Sequence, residues 1–168
     1  FSTLLLFLCG MSVVETAADI DTLFMGWEFV GISSFLLIGF YRHREQPVRN
    51  ALKVYSVYRL CDVGLLVGAY AEHHEYGTSS FLQVASHPLP SHVALPIALL
   101  LLLSAAGKSA QFPFSFWVAR AMEGPTPSSA IFYGALSIHA GVFLLLFVAW
   151  QLWWTDFMSN REQASIST

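Results

Sequence analysis

Charge is what this chain has least of. Only 11% of its 168 residues are charged, against about 25% in a soluble globular domain, which excludes a surface solvated on every side. The formal net charge of -3 is too small and too scattered for a nucleic-acid-binding face, so no nucleic-acid partner is expected. Cysteine is equally scarce. Cys9 and Cys61 both fall inside apolar runs and read as small packing residues rather than a disulfide. A phosphate loop, a catalytic triad and a cysteine-rich metal motif are all missing, so no catalytic residue, metal or cofactor is expected in this chain. A leading methionine is missing too: the sequence opens on Phe1 and is apolar at once, as a piece cut from a longer chain would be.

Apolar residues, by contrast, are plentiful. The chain is 55% hydrophobic, with fourteen Phe and five Trp, and its mean hydropathy is +0.58. Hydropathy gives about five spans. They are Phe1 to about Val14 (short), about Thr22 to Tyr41, about Asn50 to Ala71, about Val93 to Gln111, and about Pro127 to Trp150. The expected fold is therefore an all-α membrane protein. Residues 1–150 form its transmembrane domain and 151–168 a polar tail, with "WQLWW" as an aromatic belt at an interface. Between the fourth and fifth spans, "FPFSFWVARAMEGPTP" is too polar and too broken by Pro113, Pro125 and Pro127 to cross. It reads as a broken helix with a short re-entrant piece, with Glu123 in the same loop, and such backbone survives at membrane depth only where protein or a wet cavity shields it.

The few charges sit where charges are expensive. Glu28 lies in the second span, Arg59 and Asp62 in the third, Lys108 in the fourth and His139 in the fifth. An ammonium at the bilayer centre costs about 3 kcal/mol on insertion scales. Arg59 and Asp62 are three apart, so on a helix they share a face and can neutralise each other. Glu28 and Lys108 lack such a neighbour, and the cheapest arrangement faces them toward each other across helices. The bland alternatives are an Arg59–Asp62 pair that merely pins helices, and a Lys108 that snorkels to the interface. Yet opposite charges on several spans, beside Ser104, Ser109, Gln111 and Ser137, are better explained by a hydrated path for protons or Na+. Other candidates are weaker. Glu72, His73, His74 and Glu75 lack metal-ligand spacing and read as a solvated loop. Gly64 and Gly68 form a G-x-x-x-G suited to close helix packing. Ser128 and Ser129 read as helix-start residues after "GPTP".

Three stretches in order, "FMGWEFVGISSFLLIGFY", "ALKVYSVYRLCDVGLL" and "GKSAQFPFSFWVARAMEGPTPSSA", closely resemble the antiporter-like membrane subunits of respiratory complex I (its L type) and of the Mrp cation/proton antiporters. The resemblance runs to about Phe147. It implies one half of an inverted-repeat, proton-conducting fold, in a multi-pass protein of a prokaryotic plasma membrane. Glu28 and Lys108 fall on the family's central couple, and Arg59 and Asp62 on its Arg-x-x-Asp. Complex I subunits read "PLHTWLPDAM" where this chain has "PFSFWVARAM", so Ser115 replaces a histidine and Arg120 an acid. Tyr133 stands in place of another histidine, and His139 follows a turn and a half later. The variant "SSAIFYGALSIHAG" resembles the membrane subunit of the two-part inorganic-carbon accumulation complex (DabB type). That branch implies a soluble, zinc-dependent, carbonic-anhydrase-like partner, beside the other membrane helices of the full-length parent. Complex I and Mrp-type subunits are the alternative, and a non-transporting helix-packing scaffold is the reading of another class.

Loop charge gives an orientation. "RHREQPVRNALK" carries Arg42, Arg44, Arg49 and Lys53, whereas "EHHEYGTSSFLQVASHPLPSH" carries no Lys or Arg, so the first is cytoplasmic and the second external. In right-side-out vesicles, an impermeant thiol reagent should label Thr78→Cys and spare Gln46→Cys. The reverse pattern would overturn the orientation.

Overall fold

The computed structural model describes residues 1–86, 91–126 and 137–166, and every element among them is helical. The order is α1 (Ser2–Thr16), α2 (Ile20–Ile38), α3 (Glu45–Tyr76), a short α4 (Phe81–Ser86) and α5 (Ser91–Lys108). A single 3-10 turn (Phe114–Trp117), a one-turn α6 (Val118–Ala121) and α7 (Ser137–Ile166) complete it. Five of these helices, α1, α2, α3, α5 and α7, lie over the five apolar spans. Of the described helices, α2 has the length and apolarity to cross a bilayer by composition alone, while 2–16, 92–108 and 138–150 are apolar but shorter.

Local chemistry sets the boundaries. Asp19 caps α2, accepting from the Thr22 amide at 2.7 Å and the Thr22 hydroxyl at 3.0 Å, so the helix starts two residues before its apolar run. α3 ends in a left-handed Gly77 (φ 67°). Two connections are shorter than their charge suggested. α3 begins at Glu45, so most of the basic 42–53 segment is helix. At the other end, Glu72–Tyr76 is the last turn of α3 and α4 interrupts the rest, so Glu72 is buried rather than solvated. The fifth span's start at Pro127, and with it Ser128, Ser129 and Tyr133, lies outside the described residues. From Ser137 the helix runs on to Ile166, so the polar tail is helical over residues 151–166.

Packing runs α1 on α2, α2 on α3, α3 on α5, and α5 on α7. Lipid tails are as apolar as leucine, so close backbone approach rather than water exclusion must hold such helices together. Small residues stand at each approach. A methyl group on Gly26 would sit 2.8 Å from the Val14 amide nitrogen, one on Gly64 2.5 Å from the Leu100 carbonyl oxygen, and one on Gly141 2.6 Å from the Ser109 amide nitrogen. Gly107 lies directly over the Cys61 side chain, which explains the buried cysteine as a packing residue. Leu60, Val63, Leu66 and Val67 of α3, with Leu95, Leu99 and Leu103 of α5, point outward.

Gly64→Val should force α3 and α5 apart, costing about 1–3 kcal/mol and lowering the unfolding temperature in detergent. Gly39→Ala should be near neutral, because its methyl group would meet Ala51 and Phe35 at an ordinary 3.4 Å. Equal tolerance of both would show that the helices pack with more slack than the structure has.

Candidate functional site

α5 ends at Lys108, and the reason is local. Ala110 adopts a left-handed backbone (φ 55°), a conformation that costs an L-residue about 1 kcal/mol or more. The chain then turns through the 3-10 segment back onto α3. Two groups hold this break. The Trp117 indole donates to the Gly107 carbonyl at 2.9 Å, satisfying an acceptor left open at the helix end, and the Trp117 ring meets Tyr58 edge-on at 5.0 Å. Farther along the loop, Glu123 accepts from Asn50 Nδ2 at 3.2 Å. Pro113 precedes the 3-10 turn and Pro125 follows α6, while Pro127 lies outside the described residues.

The break leaves Lys108 inside the bundle, 1% exposed, so it does not snorkel. Its Nζ donates to the Trp27 main-chain carbonyl at 2.7 Å, and lies 4.4 Å from the Trp27 ring centroid and 5.4 Å from that of Tyr58. The same tryptophan donates its indole N–H to Asp62 Oδ1 at 2.6 Å. Ser104 adds a longer contact to that oxygen at 3.4 Å. Trp27 thus links the lysine of α5 to the aspartate of α3.

The pairing differs from the one expected from spacing. Arg59 does not neutralise Asp62; it forms an ion pair with Glu28 and donates Nε to the Tyr55 hydroxyl at 2.8 Å. Nor do Glu28 and Lys108 meet: no ion pair joins them, and Glu28 Oε1 has no hydrogen-bond partner. The reason is helical rotation. Successive residues diverge by about 100°, so when Trp27 faces α5, Glu28 turns toward Arg59. Two positive and two negative groups therefore stand within a few residues of one another, and their formal charges cancel.

His139 does not join the groups touching Lys108. It is exposed and lines a cavity of about 260 Å³ with Met11, Val14, Glu15, Ala140 and Phe143, between α1 and α7. Ser109 bonds back to its own helix at Ala105, and Gln111 is exposed. Sequence reasoning missed Trp27 and Tyr58. The signal was available in "GWE", where a tryptophan precedes the acid, but a buried aromatic residue is usually core, and only the fold puts its carbonyl under Lys108.

Residues 17–164 match the profile described as NADH:quinone oxidoreductase/Mrp antiporter, TM. The NADH-quinone oxidoreductase subunit L of Mycobacterium tuberculosis is 42% identical over 148 residues, 87% of this chain and 23% of that protein. NADH-ubiquinone oxidoreductase chain 5 of Dugong dugon is 44% identical over 146 residues, 87% of this chain and 24% of that protein. Among solved structures, the Mrp complex from Dietzia sp. DQ12-45-1b superposes with a TM-score of 0.79 at 33% identity, over 84% of this chain and 16% of that one. The chain spans about a quarter of the length of the two relatives. With the profile covering most of its residues, it belongs to the family of NADH:quinone oxidoreductase and Mrp antiporter membrane subunits.

Proposed function

We propose that this chain is a proton-conducting half-channel of an antiporter-like membrane subunit, with Lys108 as its relay. The observation that carries the reading is a fully buried ammonium held by a carbonyl and two aromatic faces, with its acids one residue removed. A carboxylate clamped directly onto Lys108 would pin its proton. A carbonyl and ring faces hold the charge while leaving the proton free to depart. Arg59, locked to Glu28, keeps a fixed positive charge beside it, so a change of charge at Lys108 is felt by Asp62 through the Trp27 bridge. Protons are the proposed cargo, with Na+ as the alternative ion. The rest of the path would come from the other helices of a longer parent in a prokaryotic plasma membrane.

In proteoliposomes of the full protein, Lys108→Arg should assemble yet carry protons at under a tenth of the normal rate, because arginine does not deprotonate. Glu28→Gln and Asp62→Asn should do the same. Lys108→Met should fold, since removing a buried charge relieves a cost. Trp27→Phe deletes one charge-assisted hydrogen bond of about 1.5–3 kcal/mol and should slow transport about tenfold. Normal pumping by Lys108→Arg would make the lysine a structural pin.

A second reading narrows the parent. The "SSAIFYGALSIHAG" variant supports inorganic-carbon capture together with a soluble zinc protein, whereas the relatives' names favour a respiratory or antiporter complex. Expressed with such a partner, the full protein should rescue growth at ambient carbon dioxide in a host lacking carbonic anhydrase. Rescue by the partner alone would remove this role.

A further inference from the structure

The basic end of the bundle, expected to be cytoplasmic from its loop charge, carries a groove outside the Lys108 cluster. It opens between the end of α2 and the start of α3, has a volume of about 410 Å³, and is lined by Phe35, Leu36, Gly39, Val48 and Ala51, with Arg42 at its rim. The walls are apolar and the rim is cationic. Arg42 has no carboxylate partner among the described residues, in contrast to Arg59, which is paired with Glu28. Around it lie Arg44, Arg49 and Lys53, so four of the chain's eight basic residues fall within twelve positions, with Glu45 as the single acid between them. Arg120 belongs to the same end, because α6 packs on α3 and Asn50 bonds Glu123 just beyond it. Phe40 is exposed beside the groove, and Tyr41 stacks edge-on against it at 5.3 Å.

We propose that this groove is a binding site for one anionic phospholipid. An acyl chain would lie along Phe35, Leu36, Val48 and Ala51, and the headgroup phosphate would sit on Arg42. Three features favour a lipid over another occupant. The apolar wall continues directly from the membrane-facing part of α2, so a chain can enter from the bilayer without crossing polar surface. The unpaired guanidinium can grip a phosphate through two parallel hydrogen bonds. Basic pockets between helices on the cytoplasmic side are suited to anionic headgroups, each basic residue near the surface strengthening attraction about fivefold.

The test is retention of lipid by the purified full protein, read by native mass spectrometry after exchange into nanodiscs. Discs of phosphatidylcholine doped with phosphatidylglycerol should give one tightly held phosphatidylglycerol, which Arg42→Gln weakens about fivefold and Arg42→Lys, keeping the charge without the paired hydrogen bonds, weakens by less. Leu36→Trp, which fills the groove and leaves the cation in place, should also expel the lipid. Lys53→Gln, away from the groove lining, should lower retention less than Arg42→Gln. Equal retention of phosphatidylcholine would overturn the proposal, as would displacement by millimolar inorganic phosphate, which would make it a site for the free anion. A photo-crosslink from position 36 to another polypeptide instead of lipid would also overturn it, assigning the groove to a protein neighbour.

Discussion

The contact between the Lys108 ammonium and the Trp27 carbonyl is the constraint around which this bundle is arranged. A cation at membrane depth must be given hydrogen-bond acceptors and counter-charge by the protein, since neither water nor lipid supplies them there. A main-chain carbonyl provides the first, and Asp62, reached through Trp27, provides the second. For that carbonyl to be reached, α5 must stop at Lys108, which requires the left-handed turn at Ala110 and the Trp117 hydrogen bond that steadies it. A break that would be a defect elsewhere is here the means of delivering a charge.

Reaching Trp27 also demands that three helices lie unusually close. The glycines do this. Gly26 brings α1 against α2, Gly64 and Gly107 bring α3 against α5, and Gly141 lets α7 lean on the turn after Lys108. At Gly26, Gly64 and Gly141 the approach is to backbone, while Gly107 makes room for the Cys61 side chain. α3 is the hub: it carries Asp62 and Arg59, receives Trp117 on Tyr58, and holds the loop through Asn50. The charges of the site and the anchor of the broken helix thus share one element.

The two ends of the bundle differ in sign. Arg42, Arg44, Arg49 and Lys53 crowd one end, whereas Asp19, Asp21, Glu72 and Glu75 gather at the other. An excess of Lys and Arg at one end is the signal by which membrane chains in general are oriented. The neutral cluster sits between these ends, and its lysine is the member whose proton is not locked in an ion pair.

The sequence by itself determined the class of fold, the positions of the apolar runs and the charged members of the cluster around Trp27. Apolar runs of bilayer length, a proline-broken segment and charges on separate spans are one-dimensional signals, and Glu28, Arg59, Asp62 and Lys108 were all legible from them. The tertiary structure decided who pairs with whom. Spacing favoured Arg59 with Asp62 and left Glu28 for Lys108, but a partner across helices depends on the rotation of each helix about its own axis, and a turn of about 100° exchanges one neighbour for the next. The same rotation made Trp27 the bridge, a role its residue type does not announce. It also turned His139 outward to the cavity beside Glu15, away from the charged cluster with which it was expected to share a path. Helix ends behaved likewise: polar residues of 45–53 and 72–76 joined α3 because a backbone buried against neighbours keeps its hydrogen bonds within the helix, a condition that hydropathy along a line does not record.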